Sequence, residues 1–186
     1  ERERKMKNLI TTLSCASAFL FCSSAFATLF TVPAGKTLTI QAAIDAANQN
    51  GDEIMVLPGV YFEQIDYLGK SVRIYSQGGA IMTYIDGQST SGPLVTFHTA
   101  EDENAILEGF TVRNAPNGAG ISANGSSPTI LSCKIVGNTA SDGGGFKCQD
   151  ANIIIDDCEI KNNTSSNGAG MWMSGGSLTM SYTLLR

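Results

Sequence analysis

The stretch Pro128-Thr-Ile-Leu-Ser-Cys133-Lys-Ile-Val-Gly-Asn138 returns twenty-five residues later as Ile153-Ile-Ile-Asp-Asp-Cys158-Glu-Ile-Lys-Asn-Asn163. It returns again at the same step as Leu178-Thr-Met-Ser-Tyr-Thr183-Leu-Leu-Arg186. A glycine block keeps the same pace, with Ile121, Phe146 and Met171 each following a Gly-x-Gly triplet at 118–120, 143–145 and 168–170. Self-similarity at one fixed spacing marks a repeat architecture and is read before any single element. Inside each unit the apolar residues alternate in runs of three to five, which is strand periodicity. Paired glycines and β-branched residues break every candidate helical turn. Three short strands and three bends in about 25 residues describe one coil of an all-β, right-handed parallel β-helix, a solenoid whose strands stack about 4.8 Å apart.

Stacking turns the repeat into columns. Ile130, Ile155 and Met180 should lie one above another, as should Ile121, Phe146 and Met171, and Cys133 should lie over Cys158. Asn138 over Asn163 reads as an amide column at a bend, with Asn114 one residue out of register before it. Residues 104–186 are the regular coils. Upstream the period loosens, but Glu53–Leu57, Val60–Ile65, Val72–Tyr75 and Leu94–Phe97 still read as strands. One segment differs: Thr39-Ile-Gln-Ala-Ala-Ile-Asp-Ala-Ala-Asn48 has helical spacing, with Thr39 as N-cap and Gly51 as stop. A helix over 39–50 would cap the first coil and cover its exposed edge. The sequence breaks off at Leu184-Leu185-Arg186, partway through a coil, so a longer protein is expected.

The 186 residues are 42% apolar and 16% charged, too apolar for disorder and too poor in charge for a coiled coil. From Met6, a basic Lys7, an apolar run over Leu9–Phe21 and Ala25-Phe26-Ala27 spell a secretory signal peptide cleaved after Ala27, with Glu1–Lys5 upstream of it. The run is short and rich in Ser and Thr for a membrane span, and no later stretch reads as one. Residues 28–186 then form one β-helix domain carrying 8 basic and 15 acidic residues, net −7. That charge disfavours nucleic acid. The expected place is outside the cell or on the outer-membrane surface.

Several of these segments resemble secreted bacterial right-handed β-helix repeat proteins of the pectin-lyase-like superfamily. They are the Thr39–Ala47 stretch, Gly51-Asp52, Leu57-Pro-Gly-Val-Tyr-Phe-Glu63, Ile85-Asp-Gly-Gln88 and Leu107-Glu-Gly-Phe-Thr-Val112. The 128–138 unit and Gly143-Gly-Gly-Phe146 also resemble the repeats of chlamydial polymorphic outer-membrane adhesins. The resemblance implies the fold over residues 31–186. It leaves the activity open, because this scaffold hosts lyases, hydrolases, esterases and adhesins.

Little in the sequence reads as catalysis. The arginine and aspartate patterns that the enzymes of that superfamily use do not occur: from residue 28 on, the arginines are Arg73, Arg113 and Arg186, and the lone His98 sits between Phe97 and Thr99. Asp156-Asp157 with Glu159 could be half of a calcium site, but it reads better as a turn, with Glu159 beside Lys134 of the preceding coil. Cys133, Cys148 and Cys158 read as small, buried, unbridged thiols without zinc spacing. No catalytic, metal or cofactor residue is therefore assigned. Outward Trp172, with Lys147 above it one coil earlier and Tyr182 one strand on, reads as a contact surface for a glycan or a partner, the two aromatics bordering a shallow groove. The leading expectation is an adhesin-like rod presenting that surface to a polysaccharide or cell-surface glycan. Its rival is a polysaccharide lyase or hydrolase of the pectate-lyase type, with calcium as cofactor and a site lying partly beyond Arg186.

Overall fold

The computed structural model describes residues 27–48, 51–88 and 90–186. The signal segment at 6–27 therefore lies outside the described residues, Ala27 excepted. Among the described residues, eighteen strands and one helix are wound into a parallel solenoid of about six turns. Its first face stacks β1 (Leu29–Val32), β2 (Glu53–Val56), β5 (Arg73–Ser76), β8 (Ile106–Glu108) and β11 (Thr129–Leu131). The second stacks β3 (Gly59–Tyr61), β6 (Thr83–Asp86), β9 (Thr111–Arg113), β12 (Lys134–Val136), β15 (Glu159–Lys161) and β18 (Leu184–Leu185). The third stacks β4 (Ile65–Asp66), β7 (Val95–Phe97) and β10 (Ile121–Asn124). Two eleven-residue strands, β14 (Phe146–Asp156) and β17 (Met171–Ser181), start on the third face and run round the corner onto the first. All pairings are parallel, and the expected columns form: Ile130 on Ile155 on Met180, and Ile121 on Phe146 on Met171.

The period proves to be a property of the turns. Down the first face the partners Ile54, Ile74, Leu107, Ile130 and Ile155 are separated by 20, 33, 23 and 25 residues, yet each pairs in register with the next. Extra residues upstream are taken up between strands and leave the rungs unchanged. Three regularly stacked vertices carry residues in the left-handed region. They are Gly109, Ser132, Asp157 and Tyr182 at the first, Asn114, Gly137 and Asn162 at the second, and Gly125, Asp150 and Gly175 at the third. Gly, Asn and Asp tolerate this conformation best, which is why the corners read as turn residues. Asp157 is thus a vertex, as the turn reading of Asp156-Asp157 requires. Asn114 is in register with Gly137 and Asn162, and belongs to a different column from Asn138.

The interior is filled by inward side chains of all three faces, with Tyr67, Phe97, Phe110 and Phe146 the largest of those with no exposure. Tyr67 and Phe97 pack with ring centroids 4.2 Å apart. At the corners a second interaction takes over. Cys133 Sγ accepts from the Phe110 N–H (3.4 Å), Cys158 Sγ from the Cys133 N–H (3.3 Å), and Thr183 Oγ1 from the Cys158 N–H (3.2 Å). Asn138 Oδ1 likewise accepts from the Ala115 N–H, and Asn163 Oδ1 from the Asn138 N–H. Each is a side chain one coil on that satisfies a buried donor of the coil before. The place of Thr in a column of Cys is explained: the position needs a small side chain with an acceptor. The three cysteines are free.

The cap is shorter than the sequence suggests. Helix α1 spans Ile40–Ala46, and its C-cap is Ala47, not Gly51. Thr39 is the N-cap and accepts from the Ala42 N–H. A seven-residue helix is marginal alone, so the first coil holds both its ends. Glu63 accepts from the Ile40 and Gln41 N–H groups, and Lys70 Nζ donates to the carbonyls of Ile44, Asp45 and Ala47. Strand β1, which no periodicity announced, pairs with β2 and completes the cover. The Val60–Ile65 run is two strands, β3 and β4, and β13 (Thr139–Asp142) pairs with β16 (Thr164–Asn167) as a separate ridge.

The acceptor column makes a direct forecast. Cys158→Ala leaves the Cys133 N–H buried without a partner and should cost about 1–3 kcal/mol. Cys158→Thr keeps an acceptor and should cost less than half as much. Denaturant unfolding followed by far-ultraviolet circular dichroism measures both; equal losses would remove the hydrogen bond as the cause.

Candidate functional site

The third face points one continuous column of side chains outward: Asp66, Thr96, Ser122, Lys147 and Trp172, each one coil beyond the last. Strand alternation puts them there, because their neighbours Ile65, Val95, Ile121, Phe146 and Met171 fill the core. A second column, Asn124, Gln149 and Ser174, runs beside it. The β13–β16 ridge and the segment at Gly92-Pro93 and Asn117–Ala119 rise along this face. Between them lies a groove of about 360 Å3, within the range of ligand sites. Its lining includes Ser122, Asn124, Ser141, Asp142, Lys147 and Gln149. Its wall depends on Gly118, where a Cβ would overlap the Gly92 carbonyl.

Inside the groove the polar groups are ordered by their neighbours. Asp142 accepts from Asn167 Nδ2 (2.9 Å) and lies 4.0 Å from Lys147 Nζ. The Lys147 ammonium in turn stands 5.8 Å from the centre of the Trp172 ring. Lys147 and Trp172 are therefore adjacent, as strand alternation requires, and Lys147 reaches the groove. Tyr182 is elsewhere. It is the left-handed vertex after β17, 90% exposed, and does not line this groove. The expectation that Trp172 and Tyr182 border one groove fails because the chain turns a corner and leaves the third face between them.

Most of the other polar candidates are engaged in holding the coils. Buried Asp86 accepts from Arg113 Nε (2.6 Å) and Asn114 Nδ2, with the Arg113 guanidinium 4.3 Å over the Tyr84 ring. Buried Glu101 accepts from the Gly69 and Thr99 N–H groups, and Asp52 from those of Thr28 and Asn48. Asp156 and Asp157 accept from the hydroxyls of Ser181 and Ser132. Glu159 lies 3.7 Å from Lys134, as the column predicts, but closer to Lys161 (2.7 Å) and Arg186 (2.8 Å). Those partners hold its carboxyl down to about 2. Burial pushes the Cys148 thiol up to about 12, far from a thiolate nucleophile. Among the described residues no three His, Cys, Asp or Glu side chains converge as metal ligands would.

His98 is the single histidine of the chain. Its Nε2 lies 2.8 Å from Asp66 and its Nδ1 3.1 Å from Thr99 Oγ1, so it ties the second coil to the first beside the outward column. The Asp66 hydrogen bond raises its pKa above the ordinary 6.5.

A family model described as "right handed beta helix region" matches residues 60–184, which is most of the chain. No curated protein and no solved structure matches it.

Because the chain has a single histidine, its titration is readable directly by NMR. The His98 pKa should lie above 6.5, and Asp66→Asn should bring it back to that value. The pair's contribution to stability is full below pH 6.5 and fades as pH rises through the raised value. An unshifted His98 in the wild-type chain would exclude the contact.

Proposed function

Since the chain belongs to the right-handed beta helix family, we propose that it is an exported, adhesin-like rod whose third-face groove holds a polysaccharide or cell-surface glycan. The observation that carries this is the groove's lining. Amides and hydroxyls of Asn117, Ser122, Asn124, Ser141 and Gln149 face it, with Asp142 and Lys147 its only charged groups. Paired donors and acceptors at this density suit sugar hydroxyls, which both give and accept hydrogen bonds. Trp172, next in the outward column after Lys147, offers a flat face for stacking against a pyranose ring. A stack of coils is rigid, so such a surface is preorganised and little order is lost on binding. Export rests on the signal-like segment from Met6 to Ala27.

The polysaccharide-degrading alternative asks for a carboxylate or metal cluster in or beside the groove. Asp142 is the groove's one acid, and Asn167 and Lys147 flank it. The rod reading has the closer support.

Trp172 is the only tryptophan and stands one coil beyond Lys147, outside the groove's own lining, so its emission reports a ligand that runs from the groove along the outward column. Titration with neutral and acidic oligosaccharides should shift that emission, and Trp172→Ala should weaken binding by roughly 1–3 kcal/mol, the weight of one stacked ring at a desolvated contact. Release of unsaturated or reducing-end products from those glycans, with or without calcium, would overturn the rod reading in favour of an enzyme.

A further inference from the structure

Outward positions of the second face carry Thr111, Arg113, Lys134, Glu159 and Lys161 on the coils of β9, β12 and β15. On the two coils before them the same face is largely apolar. Val60 pairs with Tyr84, and Tyr84 with Thr111, in one outward column. Phe62 follows buried Tyr61 and Met82 precedes buried Thr83, so strand alternation turns both outward as well. Ile81 stands next to Met82 at the corner. Val60 is 38% exposed, Met82 51%, Phe62 64% and Ile81 68%. Tyr61, Thr83 and Ile85 already fill the inward rungs, so the stacking of coils does not bury these four side chains.

The patch is held in place by its surroundings. Tyr84 donates its hydroxyl to the Ile81 carbonyl (2.6 Å), and the Arg113 guanidinium stands 4.3 Å over its ring. The Gly59 N–H donates to the Met82 carbonyl. Pro58 and Met82 close on Gly78 so tightly that a Cβ there would fall 2.7 Å from one and 2.9 Å from the other. The flanking charges are engaged within the chain: Glu63 accepts from the Ile40 and Gln41 N–H groups, and Asp86 from Arg113 Nε. An apolar surface ordered in this way loses little freedom when it is covered.

We infer that Val60, Phe62, Ile81 and Met82 are the centre of a two-fold interface at which a second copy of this chain docks. The exposed fractions of these side chains amount to roughly 300–500 Å2, about half of one partner's share of a standard interface. Tyr84, Pro58 and the polar positions around them supply the rim that such a centre requires. Charge selects the partner. Residues 28–186 are net −7, so two copies repel each other over most of their surface, and they can approach only where the acids are already neutralised or hydrogen-bonded. A basic partner would be drawn to the acidic remainder instead. A second copy brings an equally uncharged apolar patch, and a two-fold contact uses each of its side chains twice. The inference stands apart from the groove, because none of these residues lines it.

Sedimentation equilibrium of the full chain over a concentration series, at low and raised salt, tests it. The chain should form dimers. Phe62→Ser with Ile81→Ser should weaken them roughly a hundred-fold, because each substitution is present on both copies, with the circular dichroism of the fold unchanged. Raised salt should tighten the wild-type dimer, since it screens the repulsion between the acidic bodies and does not weaken an apolar contact. Salt dependence needs no variant, so a misfolded mutant cannot mimic it. Leu184→Ser with Leu185→Ser, on the last strand, should leave the dimer unchanged. The inference is overturned by a monomer throughout the series, by a dimer that salt loosens, or by association that survives the Phe62 and Ile81 changes. It also falls if association is lost on changing Leu184 and Leu185, or if the patch carries the chain onto neutral phosphatidylcholine vesicles in place of dimerising.

Discussion

A backbone N–H that turns inward at a corner of this prism meets neither water nor a neighbouring strand, and the whole repeat is organised around giving it an acceptor. The acceptor comes from the next coil: a sulfur at Cys133 and Cys158, a hydroxyl at Thr183, an amide oxygen at Asn138 and Asn163. Each such bond crosses one rung, so it also fixes the vertical register of the coils it joins. An unmet buried donor costs more than a made bond contributes, and the repeat is correspondingly strict at these places. Apolar positions are freer: Ile, Leu, Phe and Met exchange within one column because an interior rung asks only for volume.

The faces inherit their properties from that register. Inward columns are uniform, so outward columns are uninterrupted as well. An outward column is then a line of side chains a few ångströms apart, parallel to the solenoid axis. On the third face that line is polar and includes Lys147 and Trp172; on the second it mixes Lys134, Arg113 and Lys161 with Glu159, Asp86 and Val136. Extended ligands with a repeat of their own are what such lines match, which is why both readings of function point to polymers.

The cap follows the same logic in reverse. Helix α1 has no repeat to lean on, so ionic side chains of the first coil, Glu63 and Lys70, fasten its two ends, and Asp52 fastens the chain on either side of it. The Gly59-x-Tyr61-x-Glu63 spelling acquires a role here. The Tyr61 hydroxyl shares its one proton between the Leu57 carbonyl (2.8 Å) and the Val32 carbonyl (3.1 Å), and Glu63 holds the helix start. Neither charge nor aromatic is free for chemistry.

The 25-residue spacing alone was enough to determine the solenoid, its inward columns and the adjacency of Lys147 and Trp172, because equal phase in a stacked parallel array leaves one arrangement. Spacing showed Asn114 one residue out of register with Asn138 and Asn163, but not why: backbone conformation puts it at a vertex with Gly137 and Asn162. Strand β1 and the end of α1 were also hidden, since both are decided by contacts with the first coil and not by local pattern. The groove and the ion pairs of the second face needed the fold outright. Gly92, Gly118 and Ser141, like Arg113 and Arg186, come from different coils, and only winding the chain brings them to one surface.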